Sequence, residues 1–187
     1  AGTVQELQDY KGGLDDERRS YVGFEGLARN PTLNIGGIFS GGEGDKINIV
    51  PDSARFSLDR RLVPGEQLAA VECELRQVVE QAVGIQSRSS YRISSPLRIE
   101  PCVVDIEHVL PRSFARAVQA VRRRSAGYRV TAGFTDLHYF VAGGLPGIGY
   151  GVKGEHAHGV DERVRVRDLV MTARTYAEFM LRGVEVD

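Results

Sequence analysis

Hydrophobic positions recur along the chain with two different periods, and these mark out its elements. In AGTVQELQDY, Val4, Leu7 and Tyr10 fall on one face of a helix. KGGLDDERRSYVGFEGLARNP is polar and turn-rich, which predicts a loop with its DDERR run as solvated surface. TLNIGGIFSGG predicts a strand with Leu33, Ile35 and Phe39 toward one side. INIVPDSARFSLDRRLVPGE is the clearest strand region. Ala54, Phe56 and Leu58 point one way, and Arg55, Ser57, Asp59 and Arg61 the other. EQLAAVECELRQVVEQAVG predicts an amphipathic helix with Leu68, Val71, Leu75, Val78 and Ala82 inward and Gly84 as its stop. YRISSPLRI predicts a polar strand interrupted by Pro96, suited to a sheet edge.

The character changes after about Ile99. PRSFARAVQAVRRRS predicts a helix with Phe114, Ala117, Val118 and Val121 inward and Arg122, Arg123 and Arg124 as a solvated end that suits the helix dipole. YRVTAGFTD predicts strand then turn, LHYFVAGG a short helix, and LPGIGYGV a short buried strand. VRVRDLVMTARTYAEFML closes the chain as a helix with Leu169, Ala173, Tyr176 and Met180 inward. The first part has an antiparallel flavour, and the second alternates helix and strand as a layered α/β domain does.

Composition narrows the function classes. With 187 residues, 42% hydrophobic and 26% charged, the chain has a globular profile. A net charge of -1 gives no global field toward nucleic acid or membrane. Cys73 and Cys102 are too far apart in sequence for a CxxC site and are expected as reduced thiols, in a helix and in or beside a strand. The N-terminus has no secretory pattern and no initiator Met, so we expect a processed or cut chain and a cytoplasmic location. The loop GGEGDK lacks the Lys-Ser/Thr ending of a phosphate loop.

Two short stretches carry candidate chemistry. GEHAHGVDE, residues 154 to 162, crowds two histidines and three acidic residues together. Imidazole is a good zinc ligand, and a nearby carboxylate can orient its second nitrogen. His156 and His158 would share a face if a strand continued through them, but the flanking glycines suggest a turning loop. A mononuclear site of His156, His158 and Glu155 or Glu162 is a further possibility; a plain polar loop is the simpler one. GFTD, residues 133 to 136, combines a glycine that allows close approach with a hydroxyl and a carboxylate, and also fits an ordinary helix cap.

Taken together, INIVPDSARFSLDRRLVPGE, GFTDLHYF and GIGYGVKGEHAHGVDERVRVRDL resemble, in order and spacing, the co-catalytic zinc amidohydrolases and metallopeptidases. That family includes aminoacylase, acetylornithine deacetylase, succinyl-diaminopimelate desuccinylase and glutamate-releasing carboxypeptidases. The resemblance runs from about Thr32 onward. It implies an α/β fold: residues 1–99 as a partial lid or dimerisation domain, an antiparallel sheet with two helices, and residues 100–187 as the C-terminal part of a layered α/β catalytic domain. It implies His158 as a metal ligand, Asn48 and Arg61 as lid residues holding the substrate's carboxylate and carbonyl, and Gly133 and Thr135 as the turn receiving its carboxylate end. It further implies two zinc ions per complete enzyme and an N-acyl amino acid or peptide as substrate. The expected partner is a second copy, through the lid or exposed sheet edges, with neither nucleic acid nor membrane.

The departures decide the expectation for this chain. None of His108, His138, His156 and His158 has Asp two positions later, and no Glu-Glu pair occurs. The family draws its other ligands from a His-x-Asp, a bridging Asp and a Glu-Glu pair whose first member is the general base, so the His-x-Asp and the Glu-Glu pair have no counterpart here. We expect the chain alone to be inactive, a fragment of an enzyme that cleaves an amide beside a free carboxylate. A non-catalytic dimerising or carboxylate-binding module is the alternative.

Overall fold

The computed structural model describes residues 2–16, 19–41, 46, 48–51, 53–84, 90–131 and 133–184, apart from the side chains of 38–40. The chain forms two compact units, Ala1–Pro101 and Cys102–Asp187.

In the first unit, helix α1 (Gly2–Gly12) runs into a 3-10 turn, Gly13–Asp15. A short hairpin of β1 (Tyr21–Val22) and β2 (Ala28–Arg29) follows. Strands β3 (Thr32–Ser40) and β4 (Ala54–Arg61) pair antiparallel, from Thr32 opposite Arg61 to Ser40 opposite Ala54. Between Gly36 and Phe39 the register shifts by one extra residue on β3. Gly37 lies there at φ 53, a left-handed position that a side chain would strain. Helix α2 (Leu68–Gly84) completes the unit. Leu7, Leu14 and Leu33 are its fully buried centre, with Tyr10, Ile35, Phe56, Leu58, Leu75 and Val78 packed around them. Two helices thus cover the apolar face of a twisted strand pair, the minimum that stabilises such a hairpin.

Predicted and observed patterns agree in α1, in α2 and along most of β4, where Phe56 and Leu58 are half-buried and Arg55, Ser57 and Asp59 exposed, while Ala54, expected inward, is exposed at the strand's start. The inward face of Phe39 and the loop GGEGDK lie largely outside the described residues. Other expectations need correction. The predicted loop between α1 and β3 holds the 3-10 turn and the β1–β2 hairpin, and buries Leu14 to 2% exposure. Within the DDERR run, Arg19 is not simply solvated but pairs with Glu74 of α2 at 3.1 Å. Residues 48–51 are not strand, and Ile49 and Val50 are exposed. YRISSPLRI is irregular rather than an edge strand. Pro96 removes a donor there, and among the described residues no strand pairs with it.

In the second unit, helix α3 (Val109–Arg122) packs against the closing helix α5 (Val166–Arg182). Between them lie the short helix α4 (Leu137–Ala142) and a tight hairpin of β5 (Gly154–Glu155) and β6 (Arg163–Val164). Phe114 is the hub. Its ring centroid lies 5.0 Å from Tyr150, 5.6 Å from Tyr176 and 5.2 Å from Phe179. The α3 stripe is as predicted for Phe114, Ala117 and Val118.

The strands expected at 128–131 and 145–152 form no regular element, and among the described residues no strand adjoins Cys102 in sequence. A strand persists only where a neighbour takes its N–H and C=O groups. Every sheet among the described residues is a two-stranded antiparallel pair, which offers these segments no neighbour. The inner face of α5 is also rotated from the prediction. Thr172 and Thr175 are buried, whereas Leu169 is 52% and Met180 76% exposed. The cause is Arg122. It is not a solvated helix end but turns inward, donating from Nε to the Tyr150 hydroxyl at 2.8 Å and from Nη2 to Thr172 Oγ1 at 3.1 Å. A guanidinium between two helices selects the hydroxyl-bearing face of α5 over its apolar one. Among the described residues no helix is long and apolar enough to cross a membrane.

Candidate functional site

Arg61 ends β4 on its polar side. Its Nε and Nη2 donate to Asp59 Oδ2 at 3.1 and 2.8 Å, because residues two apart on a strand share a face. The pair is substantially exposed, so its guanidinium fork stays open to solvent. Asp59 presents to it the kind of carboxylate such a fork recognises.

Asn48 is exposed in the connection between β3 and β4, whose base is closed by the Gly41 N–H donating to the Ser53 carbonyl at 3.0 Å. That places it beyond the start of β4, whereas Arg61 is the last residue of the strand. Seven residues of strand separate the two ends, about 23 Å at the usual rise. The two predicted lid residues therefore lie toward opposite ends of one hairpin.

Gly133 and Thr135 lie in the turn ahead of α4. The Gly133 N–H donates to Thr131 Oγ1 at 3.1 Å, and a Cβ on Gly133 would meet that oxygen at 3.3 Å. Asp136 occupies the N-cap of α4, yet its side chain makes no capping hydrogen bond. The cap reading of GFTD thus holds for position and not for chemistry. A residue that sequence reasoning left without a role completes the turn: His138 donates from ring Nδ1 to the Thr135 carbonyl at 2.7 Å. Its ring lies 4.9 Å from Phe134 and 3.8 Å from Tyr139. The run FTDLHY, aromatic at both ends, was the available signal.

His158 sits in the turn of the β5–β6 hairpin, where the strand has already ended at Glu155. His156, His158 and Asp161 have φ of 58, 62 and 60, in the left-handed region. Non-glycine residues there carry strain of order 1 kcal/mol each, which gathers at sites where a fixed backbone is needed. The turn is closed by the Gly159 N–H donating to the His156 carbonyl at 2.8 Å. A Cβ on Gly159 would approach that oxygen to 3.1 Å, a tight contact that the turn would have to shift to accept. The His158 N–H donates to Glu162 Oε2 at 3.3 Å, so Glu162 caps the turn. Glu155 is held by Arg163 at 2.9 Å and Arg165 at 3.4 Å. Glu155 and Glu162 are thus committed to the hairpin itself. Among the described residues no group of three or more His, Cys, Asp or Glu side chains is disposed to hold a metal ion. A catalytic zinc needs about three protein ligands. Neither a paired zinc site nor the mononuclear alternative is completed by these donors.

Residues 2–85 match the family model described as a peptidase dimerisation domain. The chain is 30% identical over 136 residues to a succinyl-diaminopimelate desuccinylase of Methylobacterium sp. (strain 4-46), covering 71% of this chain and 33% of that protein. It is 28% identical over 136 residues to the succinyl-diaminopimelate desuccinylase of Methylocella silvestris, covering 71% and 34%. The chain thus spans about a third of the length of these curated relatives. Its fold resembles that of an M20-family metallo-carboxypeptidase from Sulfolobus solfataricus, with TM-score 0.62 and 22% identity over 80% of this chain and 35% of that one. It also resembles human carnosine dipeptidase 1, with TM-score 0.63 and 20% identity over 81% and 33%. A match to a peptidase dimerisation domain at its start, a likeness to desuccinylases over 136 residues and a fold shared with metallopeptidases together support a resemblance to a part of an M20-family peptidase.

Proposed function

We propose that this chain is part of a zinc-dependent amidohydrolase that cleaves an amide bond beside a free carboxylate, in an N-acyl amino acid or a peptide. The observation that carries the reading is the match of 136 residues to proteins named desuccinylases. In this reading residues 1–99 are the lid and dimerisation part, residues 100–187 belong to the catalytic part, and the working form is a homodimer. Arg61 is the carboxylate clamp, supported by the planar fork it already extends toward Asp59. Gly133 and Thr135 receive the substrate's carboxylate end, and His158 contributes one ligand to the metal centre. Asn48, toward the far end of the hairpin from Arg61, contacts a different part of the substrate or a different active site of the dimer. We expect the chain alone to be inactive, since its sequence holds neither a His-x-Asp pattern nor a Glu-Glu pair.

The test is hydrolysis of N-succinyl-diaminopimelate and a panel of N-acetyl amino acids by the purified chain in excess zinc. We expect no turnover above the protein-free rate. Robust zinc-dependent turnover would overturn the inactivity, and carboxylate binding that survives Arg61→Ala would remove the clamp. The placement of Asn48 and Arg61 toward opposite ends of one hairpin favours a second reading, a dimerising carboxylate-binding module. That module would bind carboxylates through Arg61 and remain without activity when supplied with the other segments of an M20 enzyme.

A further inference from the structure

We propose that the outer face of α3 and the last turn of α5 form a binding site for a polyvalent oxyanion of the pyrophosphate class. From Val109 to Thr135 the chain holds six arginines and no acidic residue, in a protein whose net charge is -1. The fold separates these arginines by task. Arg122 turns inward to Tyr150 and Thr172. Arg112, Arg116, Gln119 and Arg123 recur at helical spacing on the side away from buried Phe114, within an arc of about 60° at 100° per residue.

Arg116, Gln119, Ala120 and Arg123 line a shallow, open depression of about 520 Å³ together with Arg182 of α5. Three guanidiniums and one amide in a shared hollow offer forked donors to several oxygens of one anion at once. Glu178 already holds Arg182, and Arg112, Arg116 and Arg182 each make a further interaction, so an incoming anion competes for them. That competition selects a multivalent ligand over chloride or acetate.

Attraction of cations to helix C-termini accounts for Arg123 and Arg182. It does not account for Arg116 at mid-helix, nor for Arg112, which extends the row into the first turn of α3, where the dipole disfavours a cation. Arg123 carries a second mark. It caps α3 at φ 55 and ψ 31, a left-handed position ordinarily filled by glycine. An arginine kept there at the expense of backbone ease is what a side chain needed in the hollow would show.

The test is thermal-shift and calorimetric titration of the intact chain with inorganic pyrophosphate at constant ionic strength, with sodium chloride as control. We expect saturable binding and a rise in melting temperature that chloride does not reproduce. Arg116→Ala should weaken binding by about tenfold, the scale of one charge-assisted contact. Arg123→Gly should raise the melting temperature of the unliganded chain while weakening pyrophosphate by a similar factor, which separates lost binding from lost folding. The absence of saturable binding at millimolar pyrophosphate would overturn the site. So would unchanged affinity in both variants, or binding confined to long polyanions such as heparin or RNA.

Discussion

Arg60 illustrates what a single residue settles in this chain. The alternation along β4 puts it on the same side as Phe56 and Leu58, where a charge needs a partner. Its side chain is 4% exposed, and its guanidinium donates to Glu66 at 2.5 and 3.2 Å and to the Arg61 carbonyl. Burial works against its charge, but the hydrogen bonds to Glu66 and Tyr10 outweigh it and hold its pKa above the ordinary value. Glu66 in turn accepts from the Val63 N–H at 3.0 Å, fixing the turn into α2. Arg60→Met should cost about 3 kcal/mol in urea unfolding, because it strands a largely buried carboxylate. Adding Glu66→Gln should recover much of that loss.

Glu74 accepts from Tyr10 at 2.9 Å and from Arg19 at 3.1 Å. Burial opposes its ionisation, yet hydrogen bonds from Arg19 and Tyr10 and the charges of Arg19 and Arg60 bring its pKa below 4.5. A depressed carboxylate stabilises the fold above its unfolded pKa and loses that contribution as pH falls through the folded one. The Glu74→Gln variant should therefore differ from the native chain at neutral pH, and the difference should begin to shrink as pH falls through about 4, the ordinary Glu value. Solvent exposure of the pair keeps the difference small.

At the scale of elements, α5 is apolar on two sides. One side meets α3 through Thr175, Phe179 and the rings of Tyr150 and Tyr176 around Phe114. The other, with Val166, Leu169, Val170, Met180 and Leu181, is exposed. The two sides should respond differently to mutation. Phe114→Ala should cost about 3–5 kcal/mol, the usual loss for a buried aromatic ring. Met180→Gln should change stability by no more than about 0.5 kcal/mol, as exposed substitutions do. Chemical denaturation of both variants checks the pair, and a large loss for Met180→Gln would mean that the apolar side is covered in solution. The hydrophobic pattern alone selected that side, because periodicity reports that a stripe is apolar and not which neighbour buries it.

At the scale of the whole molecule, the match of residues 2–85 to a peptidase dimerisation domain points to self-association. We expect sedimentation velocity to show a dimer that dissociates on dilution. A monomer unchanged up to high concentration would count against a dimerising role. The M20 family reading was legible from short motifs because each joins residue types whose chemistry is restrictive: a histidine in a glycine-bounded acidic turn, an arginine alternating out of a strand, a glycine ahead of a helix. Their meeting in space was not legible. The hairpin spreads Asn48 and Arg61 toward opposite ends, and the described donors around His158 are tied to the β5–β6 turn.

The sequence by itself determined what depends on near neighbours along the chain. It marked the α1, α2 and α3 stripes, the two faces of β4, the turning of GEHAHGVDE and the short helix after GFTD, since these follow from local periodicity and from the backbone freedom of glycine. Only the tertiary structure decided the inward turn of Arg122, the buried Arg60–Glu66 pair, the exposed side of α5 and the irregular course of 91–99 and 145–152. Strand identity needs a hydrogen-bonding partner, and a charge buries only where another element answers it; both are properties of pairs of segments.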